Sequence, residues 1–481
     1  MRSQPQAFLL SDTAFAALGA GRPDPGTLET LRRAQLSRTL LLLREICRRR
    51  PHTPAWYSRL TSATPDEANR LIADPMTALW AAQALRAGDE ATGHDLPQPG
   101  RPLTATAQDQ SLRVRVEDSS SVRHGFGLPP AAPLTTAERD HWQRCLDGAW
   151  EILVNRHRPA AEMLAAVLKV IVPVRPDPAA EGISATSSEA FGAVAMSSPA
   201  DAAALAVGLL HETQHSVLNA TNLLFDLVHP GGGPGYSPWR DDPRPASGVL
   251  HGTYAYLAVT RFWRAERASG GTNSSSGAEF EFARWRVAVA EAADRLLNGG
   301  ELTEAGTRFV TALLDEVQQW LGEPVDEEIE RLATLARTDH RLRWRLRNLT
   351  VAPEDAAGLA AAWREGRPPP AVTSVLAPGT GRALENSPRL RLVRSLIKGQ
   401  DAGQNGFAAD GDAACVRGDD GAALRAYEMG LEKERDRDLT WAGLALVSPR
   451  PALRSRPEVV KAAAMAAPEA PVDALADWLS G

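Results

Sequence analysis

The sequence predicts a predominantly α-helical protein of the α+β kind, with helical regions at both ends around a small mixed α/β core. Three observations predict it. Leucines recur at helical spacing through most of the chain, strand-like patterning is confined to two segments near the middle, and Pro/Gly-rich breaks fall where the periodicity fades. The 481 residues are about three times the usual domain size. The breaks divide them into a helical N-terminal region (1–134), a central core (135–330) and a helical C-terminal region (331–481).

Taken in order, Gly26 to Arg50 carries leucines at helical spacing and a basic last turn that suits the helix dipole, with Pro51 as a stop. Thr64 to Gly88 predicts two more helices separated by Pro75, with Ser62 or Thr64 as caps. Between Gly93 and Pro133 the periodicity fades and QPGRP and FGLPPAAP mark loops or a boundary. Helical spacing resumes from Thr135 to Leu168. Two strands are predicted next, at Leu168 to Val174 and at Ile183 to Ser197. Ala268 to Gly277 has linker composition, and Gly366 to Gly381 is a Pro/Gly-rich break. Small and aromatic residues between Gly411 and Val447 are arranged as in one tetratricopeptide-like helix pair. A single pair cannot bury its own faces, so it caps neighbouring helices or, as a sharper alternative, binds peptide.

Composition excludes several functions. Hydrophobic residues make 43 % of the chain and charged residues 23 %, ordinary globular usage. The balance of 53 basic against 59 acidic residues, net −6, provides no basic field for nucleic acid or an anionic membrane. Cys47, Cys145 and Cys415 are too few and too scattered for a disulfide framework or a CxxC metal site, which fits a reducing cytoplasm. The first 21 residues have neither a secretory apolar region nor a membrane-spanning run, so export and insertion are not expected.

The chemistry concentrates in SSPADAAALAVGLLHETQHSVLNATNLL. Ser198 as cap, Pro199 in the first turn and Asp201 at the positive end start a helix that alanines and leucines carry to at least Asn219. On it His211 and His215 lie one turn apart on one face, with Glu212 beside them: a zincin-like HEXXH helix. A chance match in a chain with so few histidines is expected on the order of one per cent of the time. Two imidazoles need a third protein ligand. Leu218 and Thr221 stand where the metzincin extension has glycine and histidine, which excludes that class. His229 precedes a glycine run. His251, opening the helix-like LHGTYAYLAVTRFW, is better placed, and Glu266, Glu279 and Glu281 are carboxylate alternatives. In the proline-stiffened loop GYSPWRDDPRP, Arg240 and Arg244 could capture a carboxylate bidentately, or simply pair with Asp241 and Asp242.

The order SSEAFGAVAMS, LLHETQHS, YSPWRDDPRP, LHGTYAYLAVTRFW and LTEAGTRFV resembles the HEXXH-motif proteins encoded in actinobacterial gene clusters for ribosomally made, post-translationally modified peptides. The likeness extends to IADPMTALW and to the C-terminal ALRAY and TWAGLAL segments. Related domains are fused to radical-SAM peptide maturases. The resemblance implies an Fe(II)- and 2-oxoglutarate-dependent β-hydroxylase of peptide side chains. It further implies O2 as co-substrate, a precursor peptide as substrate and a radical-SAM maturase as partner. His211 and His215 match the family's metal positions. The assignments of His251 to the third position and of Arg240 and Arg244 to 2-oxoglutarate rest on the physical arguments above.

Three protein ligands on one face of iron leave three positions, two for 2-oxoglutarate and one for oxygen. The usual set contains a carboxylate. A three-histidine set would leave Glu212 orienting a ligand or water, unless Glu212 binds the metal itself. The alternative function is a zinc metallopeptidase in which Glu212 is the general base on Zn(II)-bound water. A third is a metal-free helical protein that escorts a peptide, for which Glu212 and both histidines are dispensable.

Overall fold

Short-range side-chain chemistry sets many of the helix starts. At Thr64 and Thr135 the hydroxyl accepts the amide three residues on, and Glu67 or Glu138 reaches back to the cap amide. The structure is a computed structural model that describes residues 8–49, 55–87, 96, 100–178, 180, 182–269, 272–377, 387–400 and 410–481. It is mostly helical with a small mixed sheet. The segments around QPGRP and the end of the Gly366 to Gly381 break lie partly outside the described residues.

The chain begins with α1 (Asp12–Gly19), α2 (Pro25–Arg49), α3 (Ala55–Ser62), α4 (Pro65–Ile72) and α5 (Pro75–Ala87). Strands β1 (Arg101–Ala107) and β2 (Gln110–Val116) lead to α6 (Thr136–Arg156) and α7 (Arg158–Val167). Then come β3 (Val170–Pro173), β4 (Ser184–Thr186), β5 (Ala193–Met196) and α8 (Ala202–Asn222). A hairpin of β6 (Gly235–Ser237) and β7 (Arg240–Arg244) precedes α9 (Ala246–Ser269), α10 (Thr272–Asn298), α11 (Glu304–Leu321) and α12 (Glu327–Asn348). The remainder is β8 (Leu349–Thr350), α13 (Pro353–Arg364), β9 (Val375–Leu376), α14 (Pro388–Ile397), α15 (Asp410–Arg417), α16 (Asp420–Lys433), α17 (Asp438–Val447), α18 (Pro451–Ser455), α19 (Pro457–Ala466) and α20 (Val472–Trp478). Among the described residues no helix is long and apolar enough to cross a membrane.

These elements form two units, neither of which is one run of chain. The first comprises Met1–Gly231, Leu250–Ala265 and Ala293–Leu321; the second comprises Gly232–Val249, Glu266–Ala292 and Gly322–Gly481. Residues 1–134 and much of the expected core therefore share one unit.

The first unit is built on a five-stranded sheet of order β1-β2-β3-β5-β4, in which β2, β3 and β5 run parallel and both edge strands antiparallel. Successive residues of β3 and β5 feed opposite cores. Ile171, Val194 and Met196 pack with Leu205, Leu209 and Leu210 of α8, while Val170, Val172, Ala193 and Ala195 pack with Leu43, Ile46 and Trp80 of α2 and α5. Burial on both faces explains the apolar run at Val170 to Val174. Truncating Leu209, which is fully buried, costs about 2–5 kcal/mol of this packing.

Several expectations are corrected. The segment read as a loop before Pro133 contains β1 and β2, whose alternation buries Leu103, Ala105, Leu112 and Val114 and leaves Arg113 exposed. The single strand expected at Ile183 to Ser197 is two antiparallel strands joined by a turn. The helix from Thr135 breaks at His157, where Pro159 sits in the first turn of α7. The cap of α8 is Asp201, which accepts the amide of Ala204 at 2.8 Å, and not Ser198. The linker-like stretch Ala268 to Gly277 is mainly helix, because α9 runs through Ser269 and α10 starts at Thr272; residues 270–271 lie outside the described residues.

In the second unit, the small and aromatic residues near the C-terminus explain one another. The Tyr427 ring lies so close to Gly443 of α17 that a Cβ there would overlap it. Trp441, Leu431 and Leu453 complete a core shared with α12 and α19.

Candidate metal centre

The HEXXH residues occupy the middle of α8, a helix fixed by its leucines beneath the sheet. The i, i+4 spacing brings the Nε2 atoms of His211 and His215 to 3.1 Å of one another. Two neighbouring ligands of one metal, bound at about 2.0–2.1 Å, sit roughly 3.0–3.4 Å apart, so the gap suits one shared ion. The ligand atoms of His211, Glu212 and His215 lie within 4.8 Å of one another. No other group of three or more His, Cys, Asp or Glu among the described residues converges in this way.

Burial keeps these imidazoles in the neutral form that a metal needs. Burial pushes the His211 imidazole down to about 4. Burial, reinforced by His211 and His251, pushes His215 well below the ordinary histidine value. Both rings are therefore neutral near pH 7 and can offer lone pairs to a metal. The His211 side chain keeps 23 % of its surface exposed, so the pair can be reached from outside.

Glu212 is almost completely buried, with Oε1 3.9 Å from His211 Nε2. Its orientation comes from the sheet: Ser184 Oγ, on edge strand β4, donates to Oε1 at 2.6 Å. β4 in turn depends on the turn before β5. There Gly192 has φ +87°, and an added Cβ would overlap the Val167 carbonyl. A histidine-rich helix and an edge strand 28 residues earlier thus share one carboxylate.

His251 lies in the first turns of α9, with its Nδ1 3.4 Å from Nδ1 of His215. It thus approaches the nitrogen of His215 that does not face His211. Tyr256, on the same helix, places its ring edge-on to His211 with centroids 5.4 Å apart. Ser184 and Tyr256 were not singled out from the sequence. Ser184 carried only the strand-like alternation around it, and Tyr256 only its helical spacing from His251.

The other residues considered lie elsewhere. His229 is exposed, its main chain held by the carbonyl of Glu301. Glu279 and Glu281 belong to the second unit; Glu281 pairs with Arg394 at 3.1 Å and accepts Trp285 Nε1 at 2.7 Å. Arg240 and Arg244 also belong to the second unit, on a β-hairpin rather than a loop. They share Asp242: Arg240 at 2.7 Å and Arg244 at 3.2 Å. Asp241 faces Arg343 and His340 instead.

No family model matches the chain, and no curated protein matches it.

Proposed function

We propose that the protein is a cytoplasmic Fe(II)- and 2-oxoglutarate-dependent hydroxylase that acts on a side chain of a ribosomally made precursor peptide. The observation that carries this is the pair of neutral, partly buried imidazoles with facing Nε2 atoms and a buried carboxylate beside them. Two histidines and one carboxylate are donors that suit non-haem iron and leave positions open. His211 and His215 would hold the metal. Glu212 would complete the set or, if the His251 ring moved from the Nδ1 side of His215 to serve as third ligand, orient a bound water; its link to Ser184 serves either role.

Bound iron supplies oxidative chemistry in which O2 and 2-oxoglutarate convert a peptide C–H to C–OH and release succinate and CO2. The protein's own contribution is to exclude water with the apolar packing around α8 and to position the peptide. Strand β4 is one edge of the sheet and carries Ser184, so an extended peptide adding to that edge would pass beside Glu212. This zincin-like relation of edge strand and HEXXH helix supports a peptide substrate. Arg240 and Arg244 are the candidates that the sequence offers for a 2-oxoglutarate carboxylate; both are engaged by Asp242 and would have to leave it to take one. A radical-SAM maturase is the proposed partner.

The test is anaerobic reconstitution with Fe(II), then 2-oxoglutarate, oxygen and the precursor peptide encoded nearby, followed by intact-mass spectrometry. Gain of one oxygen atom with stoichiometric succinate is the expected result. Peptide fragments formed with Zn(II) alone would instead establish a zinc metallopeptidase. That alternative draws on the short distance from Glu212 to His211, which suits a general base on metal-bound water.

A further inference from the structure

The second unit contains a half-open cavity of about 670 Å³, all of whose lining residues belong to that unit. Five arginines line it: Arg284, Arg331, Arg337, Arg341 and Arg454. Only two carboxylates, Glu291 and Asp420, stand against them, a surplus of three positive charges in a chain whose net charge is −6. Some of these cations are committed. Arg331 pairs with Glu328 at 2.7 Å and Arg337 lies 3.7 Å from Glu291. Among the described residues no carboxylate pairs with Arg341 or Arg454, and both are exposed.

Aromatic rings hold two of the guanidinium groups in place. Arg341 lies over Tyr236 at 5.4 Å and Arg284 over Trp285 at 4.1 Å. Guanidinium groups so held are suited to bidentate capture of carboxylates.

The spacing of the cations decides the kind of ligand. Arg331 and Arg341 lie on one face of α12, with Thr334 and Thr338 between them. Ten residues of helix span about 15 Å. A five-carbon dicarboxylate is far shorter than that, whereas an extended peptide covers it in about five residues. The volume is also of the size that encloses a short ligand segment.

We propose that this cavity is a docking site for an extended acidic peptide segment of about five residues, its carboxylates received by Arg341 and Arg454 and, at the far end of the α12 face, by Arg331, which exchanges its exposed partner Glu328 for the ligand. Docking here rests on the function proposed above only in taking a peptide as ligand. It is measured without metal, 2-oxoglutarate or oxygen, so either proposal can fail while the other stands.

The probe is a fluorescein-labelled pentapeptide with three aspartates, titrated with the full-length protein and followed by anisotropy. Saturable binding is expected, at least tenfold tighter than for the same peptide with asparagines, and weakening as salt rises. The double variant Arg341→Glu, Arg454→Glu should lose at least tenfold in affinity while its melting temperature stays at the wild-type value. Absence of saturable binding, or equal binding by that variant, would overturn the proposal. Displacement of the peptide by equimolar 2-oxoglutarate or inorganic phosphate would assign the arginines to a small anion and overturn it as well.

Discussion

The Asp339 cluster of the second unit and the histidine cluster of the first are built on opposite electrostatic plans. In the second unit Asp339 of α12 is clamped by Arg389 at 2.6 Å, Arg343 at 3.0 Å and Ser387 at 2.6 Å; Arg389 also meets Asp412, which accepts Tyr427. Burial alone would push the Asp339 carboxyl up, but the two guanidinium charges and the hydrogen bonds override it and hold it below the ordinary carboxylate range. In the first unit burial dominates at His211 and His215, and both imidazoles are driven away from the charged state. The Asp339 cluster supplies its own counter-charges and is structural. The histidine cluster holds two neutral imidazoles whose Nε2 atoms stand 3.1 Å apart, a spacing that an N–H···N hydrogen bond satisfies and that also suits one shared cation.

The largest effect should come from breaking the self-neutralised cluster. Arg389→Met leaves Asp339 and Asp412 short of a partner, and removing one member of a buried ion pair costs about 3–5 kcal/mol. Urea unfolding should show that loss, with metal affinity per folded molecule unchanged. His215→Ala should do the reverse: metal affinity falls by more than about 100-fold while stability moves by less than about 1 kcal/mol. His251→Ala sharpens the contrast. Loss equal to that of His215→Ala makes His251 a ligand, a loss of about 10–100-fold makes it a residue that orients His215, and full metal occupancy removes it from the site.

The histidine cluster was legible in the sequence because its central contact is local: residues one helical turn apart face the same way whatever surrounds them. The helices around it were legible for the same reason. The Asp339 cluster was not, since Asp339 and Arg389 are 50 residues apart and each, read alone, is an ordinary charged residue on a helix. Ser184 escaped for a related reason: its pairing with Glu212 follows from the register of β4 on β5, which itself depends on Gly192. The strands β1 and β2 were hidden by neighbouring Pro/Gly punctuation and by the arginines on their outward face. The exchange of chain between units has no local signature at all.

Acid titration should separate the clusters by pH. The folded histidines lie below their ordinary value of about 6.5, so at pH 7 they are neutral in both folded and unfolded chains. As pH falls below about 6.5 the unfolded chain takes up protons that the native chain refuses, and stability declines until His211 titrates at about 4. Asp339 contributes stability that is complete above its unfolded value of about 3.9 and is lost as pH falls towards its depressed folded value. The metal-free protein should therefore lose stability in two successive windows. In the double variant His211→Asn, His215→Asn the upper window should flatten and the lower one remain. Persistence of the upper loss would mean that other groups produce it.

The smallest effect is the most informative about how the first unit uses its sheet. Ser184→Ala removes one hydrogen bond to a buried carboxylate, a change of about 1–3 kcal/mol for a charged acceptor. If Ser184 serves only to satisfy Glu212, stability falls by that amount and activity per folded, metal-loaded molecule stays within about twofold. If the contact fixes where Glu212 points, kcat falls at unchanged metal occupancy, and Ser184→Thr, which restores a hydroxyl, recovers part of it. The second outcome is expected, because Glu212 sits beside His211 and Ser184 holds one of its two oxygens. It would also separate the two roles open to Glu212: a carboxylate that orients a bound water loses kcat alone when misaimed, whereas one that completes the metal set loses metal affinity together with kcat.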